Sequence, residues 1–224
     1  MFKEKLIIVG DSAFAEVAYE YFSQDSEYEV IGFAVERAYR TKTELFGLPI
    51  FVFEELPDIF GKDDVKFYVA IVYSQLNRLR TRLYKAAKDM GYQPASYISS
   101  RAFVWHNAQI GEHCFIMEHN TVQPFVSIGD NVVLWSGNHV GHHTKIQNNV
   151  FVSSHVVISG FCYVGENCFL GVNSAIANNV TVAADNWLGP SVTISSNTQD
   201  GQLFRVDQDQ PTKVSALRFF KVAK

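Results

Sequence analysis

From Ile98 to Ile194 the chain places an Ile, Val or Leu at every sixth position, seventeen times in succession, without insertion or slip. Four residues after many of these, small or β-branched side chains recur: Ala108, Val132, Thr144, Val150, Val156, Ser174 and Val180. Cys114, Cys162 and Cys168 fall in the same second column, which reads them as small buried packing residues. The position directly after the aliphatic is often glycine (Gly111, Gly129, Gly141, Gly165, Gly171, Gly189), the residue expected where a chain turns sharply. A six-residue unit of short strand plus corner cannot bury its apolar face alone. Three units close a triangular coil of about eighteen residues, and stacked coils make a parallel β-helix. The register puts all seven histidines outside both inward columns, which predicts corner or face positions for them.

Before the coils the pattern changes. KLIIVG reads as a short buried strand, and DSAFAEVAYEYFSQ as a helix with Ala13, Val17, Ala18, Tyr21 and Phe22 near helical spacing. YEVIGFAVE and VKFYVAIVY read as further strands, QLNRLRTRLYKAAKDMG as a basic amphipathic helix ended by Gly91, and PASYIS as a strand leading into the first coil. Alternating strands and helices predict a small parallel α/β domain over residues 1–97, followed by the β-helix over 98–194. A tail over 195–224 breaks the repeat and is expected to cap its open end. The first strand-to-helix turn, Gly10-Asp11-Ser12-Ala13-Phe14-Ala15, keeps only the first glycine of a dinucleotide fingerprint. A nucleotide site and a plain turn both fit it. Glu36, ending the second strand, stands where a carboxylate accepts a ribose hydroxyl.

Composition narrows the partners. Of 224 residues 47% are apolar and 19% charged, a globular balance, and the net charge of -4 leaves no basic footprint for nucleic acid. MFKEKLIIVG is not a secretory signal, and no apolar run approaches the ~20 residues of a membrane span. Three cysteines without metal-ligand spacing favour a reducing, cytoplasmic setting.

The coils resemble the hexapeptide repeat, [LIV]-G-x4, and that resemblance implies a left-handed β-helix, although a generic crossover rule favours the right hand. With IIVGDSAFAEVAYEYF and FYVAIVYSQLNRLR ahead of the coils, residues 5 to about 195 resemble the sialic acid O-acetyltransferase and bacillosamine N-acetyltransferase (NeuD and PglD type) family. The resemblance implies a Rossmann-like N-terminal domain and a homotrimer. It also implies acetyl transfer from acetyl-CoA to a bacterial surface sugar, most specifically to a nucleotide-linked amino sugar, with no metal. Carried over by position, the catalytic histidine falls on His142 in GHHTKI, with His143 where relatives have an acidic residue that orients the base. Phe151 occupies the place of a second histidine of the bacillosamine enzyme, and Gly160 matches the glycine whose N–H points at the thioester carbonyl. The CoA groove between two β-helices is then expected to involve Gly160, Val172, Asn178 and Pro190, and the acceptor Gly10, Ser12, Glu36 and His155. The repeat carries no projecting loop, so the acceptor must be held by the N-terminal domain, a neighbouring subunit, or both.

The chemistry suits these groups. Acetyl-CoA is already activated, so an imidazole, which ionises near neutrality, need only take a proton from the attacking atom while rigid donors hold the oxyanion. Sugar O-acetylation is the nearest alternative. A γ-type carbonic anhydrase would use His119 and His155, two coils apart, but its third histidine would fall on Gly160. A non-catalytic sugar-nucleotide-binding trimer is the remaining reading.

Overall fold

The computed structural model describes residues 3–207 and 213–222. The N-terminal part is a six-stranded sheet of order β3-β4-β2-β1-β5-β6. Its strands are β1 (Glu4–Val9), β2 (Tyr28–Val35), β3 (Glu44–Leu45), β4 (Leu48–Val52), β5 (Lys66–Val69) and β6 (Gln93–Pro94). All pairs are parallel except β3 with β4. That hairpin turns through Phe46 and Gly47, both at positive φ, and lacks the Asn-Gly signal by which such turns are usually recognised. Helix α1 (Ala13–Gln24) lies on one side of the sheet, and the short α2 (Leu56–Ile59) and α3 (Arg78–Asp89) on the other. The strand read from VKFYVAIVY, β5, is shorter than its apolar run suggests, because the chain leaves the sheet after Val69.

Two-residue strands recur every six residues from Tyr97–Ile98 to Thr193–Ile194 and assemble into three parallel sheets, each strand paired with the one eighteen residues away. Stacked parallel sheets of this kind fit the left-handed β-helix of hexapeptide repeats. The aliphatic column and the column four residues on form one continuous core, including all three cysteines. Burial pushes the Cys114 and Cys168 thiols up to about 12, so neither offers a thiolate near neutrality. Ile98, the first of the series, is 42% exposed because no coil covers it. At the far end Leu203–Phe204 adds a strand beside Trp187–Leu188 and Phe204 packs on the core, which closes that edge. Of the expected capping tail, residues 213–222, with a short helix at Ala216–Phe219, stay exposed and do not cap the coils, and 208–212 and 223–224 lie outside the described residues.

The glycines after the aliphatics do not turn the chain. None has a positive φ; the left-handed residue is two positions later, at His113, Asn131, His143, Asn167, Asn173 and Ser191. Glycine is required for a different reason. A Cβ on Gly141 would meet the backbone N of Gly160 at 2.6 Å, and one on Gly165 the N of Ala184 at 2.5 Å. The next coil passes too close for any side chain.

The N-terminal domain packs against one face of the prism, formed by the strands at 97–98, 115–116, 133–134, 151–152, 169–170 and 187–188. Outward along it runs a ladder of Tyr97, Phe115, Val133, Phe151, Phe169 and Trp187, and α1 inserts Phe14 and Phe22 against its upper rungs. Aromatic pairs of this size dominate packing energies. His113 stands at a corner, as expected, but belongs to the same seam and is a satisfied buried histidine, not an outward one. It is fully buried and stacks on Tyr68 with ring centroids 4.7 Å apart. Its Nε2 accepts from the Val69 N–H at 2.8 Å, and its Nδ1 lies 2.9 Å from Asn131 Oδ1. The register argument excluded the coil interior, but burial here comes from the second domain.

Candidate active site

Three corners join the three faces. His142 and His143 occupy the corner opposite the face that carries the N-terminal domain, in the turn between the strands His139–Val140 and Lys145–Ile146. The His142 N–H donates to Gln123 Oε1, one coil away, at 2.9 Å. Its ring lies over Gly160, where a Cβ would come within 2.9 Å of Cε1 and 3.0 Å of Nε2. Gly160 is thus the space that the imidazole needs. Its N–H, expected to face the thioester carbonyl, instead donates to Asn178 Oδ1 at 2.9 Å. Among the donors left free at this corner is the amide Nδ2 of the exposed Asn178.

His143 stands where an acidic orienting residue was expected. Its Nδ1 is 3.1 Å from Nδ1 of His142. Phe125 and Phe161, at the same corner one coil to either side, hold the ring between them with centroids 4.7 Å away on each side. Phe161 also meets His142 edge-on at 5.0 Å.

The other expected groups lie elsewhere in the chain. His155, Val172 and Pro190 are at the next corner, between the docking face and the strands that lead to His142. Within one chain they do not join His142; among the expected groups only His143, Gly160 and Asn178 do. Val172 lines a small apolar hollow of about 170 Å³ with Tyr73, Trp135 and Phe151. His119 shares the His155 corner, and no group of three or more His, Cys, Asp or Glu among the described residues could hold a metal ion.

A separate cavity of about 380 Å³ opens at the C-terminal ends of β1 and β2. Gly10, Asp11, Val35 and Glu36 line it from the strands, and Gln75, Leu79 and Arg82 from the start of α3. This crevice is where open parallel sheets bind ligands. Gly10 has φ +128, and a Cβ there would press on the Ala70 carbonyl at 3.0 Å, so the turn demands glycine. Ser12 heads α1 without a side-chain capping bond and does not line the cavity. Glu36 does, but its carboxylate is not free: Arg82 donates to both oxygens, at 2.7 and 2.8 Å, and holds Glu36 below the usual carboxylate range. Arg82 and Gln75 escaped the sequence reading. The signal for them was weak, since Gln75, Leu76 and Asn77 form an unusual run of left-handed residues before α3. Asn77 anchors that run by donating to the carbonyls of Asn167 and Cys168 in the coils.

Comparison with known proteins agrees with this fold. The bacterial transferase hexapeptide (six repeats) family matches residues 107–142 and 125–160. The acetyltransferase domain of PglB from Neisseria gonorrhoeae FA1090 superposes with a TM-score of 0.80 at 22% identity, over 90% of this chain and 96% of that one. The chain has the fold of the NeuD/PglD-like hexapeptide acyltransferases. PerB from Caulobacter crescentus, in complex with CoA and GDP-perosamine, superposes with a TM-score of 0.79 at 24% identity, over 89% of this chain and 92% of that one. The PglB domain is also known in complex with acetyl coenzyme A. Among curated proteins, none matches the sequence. No helix among the described residues is long and apolar enough to cross a membrane.

Proposed function

We propose that this protein is an acetyl-CoA-dependent N-acetyltransferase acting on a nucleotide-linked amino sugar, with His142 as general base. The observation that carries this reading is the open corner where an oriented imidazole crosses a side-chain-free glycine, in a fold shared with an enzyme seen with CoA and GDP-perosamine. The acceptor amine attacks the thioester carbonyl carbon, and His142 Nε2 takes the proton that the nitrogen sheds. The tetrahedral oxyanion then collapses, breaks the C–S bond and expels the CoA thiolate, which recovers the proton from His142. Asn178 Nδ2 is a donor that the corner offers to the oxyanion, in place of the Gly160 N–H.

The Rossmann-like domain holds the nucleotide in this reading, in the cavity beside Gly10 and Glu36. That cavity belongs to the domain docked on one face, whereas His142 lies at the opposite corner of the same prism. A single chain therefore does not bring nucleotide and base together, and a symmetric trimer does so by apposing unlike corners of neighbouring copies. The same apposition gathers His155, Val172 and Pro190 of one copy with His142 and Asn178 of another. We expect light scattering to give three chains per particle; a monomer at working concentration removes the groove and this arrangement with it.

The function is tested by incubating purified protein with acetyl-CoA and a panel of UDP-, dTDP- and GDP-linked 4-amino sugars. The expected result is the gain of one acetyl group on one nucleotide class. Transfer to hydroxyl sugars alone would establish the O-acetyltransferase alternative, and CoA binding without transfer would overturn the enzyme reading. With the acceptor in hand, Glu36→Gln should weaken the Arg82 pair and raise the acceptor KM about tenfold, the size of one lost charge-assisted hydrogen bond. The KM for acetyl-CoA should stay unchanged. An effect confined to acetyl-CoA would show that the cavity is not the nucleotide site.

A further inference from the structure

The corner that carries His142 holds no carboxylate. From Trp105 to Val180 its turns read Trp105–Ala108, Gln123–Val126, Gly141–Thr144, Ser159–Cys162 and Ala177–Val180, without one Asp or Glu. The charged or titratable side chains on these turns and the flanking strands are His106, His139, Lys145, Tyr163 and the buried Cys162. No described residue places a carboxylate in hydrogen-bond or ion-pair contact with either His142 or His143. What touches His142 Nδ1 is His143 Nδ1.

We infer that His143 is the positioning residue of the site, and that a neutral imidazole pair replaces the imidazole–carboxylate pair. This rests on the reading of His142 as base. Two neutral rings that meet Nδ1 to Nδ1 at 3.1 Å share one proton, one ring donating and the other accepting. With His143 as acceptor, His142 carries its proton on Nδ1 and leaves Nε2 bare, on the edge that crosses Gly160. His143 is held for this task. Its ring is clamped by Phe125 and Phe161 and its backbone is left-handed like theirs, with φ of 61, 63 and 56.

The consequence differs from that of a carboxylate. When His142 gains its second proton, His143 still accepts from Nδ1–H, but it supplies no opposite charge. A second proton on the pair would set two cations, each offering N–H, face to face. The pair therefore cycles through one positive charge.

The corner supplies its own control. Phe125 and Phe161 already adopt the His143 conformation one coil to either side, so His143→Phe keeps the packing and removes only the acceptor. Asparagine occupies the same corner position at Asn179, so His143→Asn keeps the backbone and supplies an accepting oxygen. In protein labelled with ¹⁵N-histidine, without ligand, the imidazole shifts should show His142 protonated on Nδ1. His143→Phe should convert it to a mixture of tautomers. With acetyl-CoA and the 4-amino sugar nucleotide turned over fastest in the panel, kcat should fall about 10- to 100-fold in His143→Phe, less than the 10²–10⁴-fold worth of the base itself. Both KM values should hold, and His143→Asn should recover most of the loss. If His143→Phe keeps the parent tautomer and kcat while His142→Asn is inactive, His143 is packing only and the inference fails. If His142→Asn is itself active, the base reading fails instead.

Discussion

His142→Asn should lower turnover by about 10²–10⁴-fold, the usual worth of a general base, while leaving the fold and CoA affinity intact. The fold should survive because the side chain points out of the prism and belongs to neither inward column. Asparagine also suits the place: it is shorter than histidine and still donates its backbone N–H to Gln123. CoA should still bind, because Gly160 and Asn178 keep their positions and their mutual hydrogen bond. The loss should therefore appear in kcat and not in the KM of acetyl-CoA. His139 and His106, on the neighbouring strand and a distant turn, should be nearly silent when replaced. Steady-state kinetics on the three variants decide the matter. More than about a tenth of parental activity in His142→Asn would place the base elsewhere, with His155 the next to replace.

Acid should separate the two domains before it disturbs the coils. His113 is buried neutral in the seam between them, and loss of water around the ring, partly opposed by its bond to Asn131, brings it down to about 3. The ordinary value, reached on unfolding, is 6.5. The folded form therefore binds fewer protons than the unfolded one throughout that interval, so stability falls as pH falls. The contribution is complete above the unfolded value and is lost progressively between about 6.5 and 3. At roughly 1.4 kcal/mol per unit of difference, a few kcal/mol are at stake, a large share of typical domain stability. Asp25 acts in a separate window. Its hydrogen bonds from Tyr97, Ser100 and Ser99 hold it at about 2, so its stabilisation disappears only below the ordinary 3.8. Denaturant midpoints measured from pH 7 to 4.5 should decline in the parent. They should be lower overall yet flatter in His113→Asn, which suits the left-handed backbone but has no ring to protonate. An equal slope in both proteins would show that His113 is not the titrating group.

Much of this architecture was legible in the residues. The β-helix follows from local geometry: with a six-residue period, whatever faces inward once faces inward in every unit, and sixteen of the seventeen aliphatics, all but Ile98, make the core. The α/β alternation before it was equally visible, whereas the demand for glycine at position 10 comes from the nearby Ala70 carbonyl. The docking ladder also left a trace, an aromatic at every eighteenth position from Tyr97 apart from Val133, yet its period is that of a full coil and the sixfold pattern hides it. Nothing in the sixfold period distinguishes the face that receives the second domain from the two that do not.

The site divides along the same line. The resemblance to acetyltransferases and the register placed His142 outward and Gly160 one coil along, and both positions come from counting along the chain. The partners of these groups come from contacts across coils, which counting does not reveal. Only the folded chain paired His143 with His142, clamped it between two phenylalanines, and spent the Gly160 N–H on Asn178. Only the folded chain buried His113, tied Glu36 to Arg82, and put the cavity of Gly10 on the far side of the prism from His142. Periodicity decides which side of its own strand a residue faces; what it meets there is set by the packing of elements far apart in sequence.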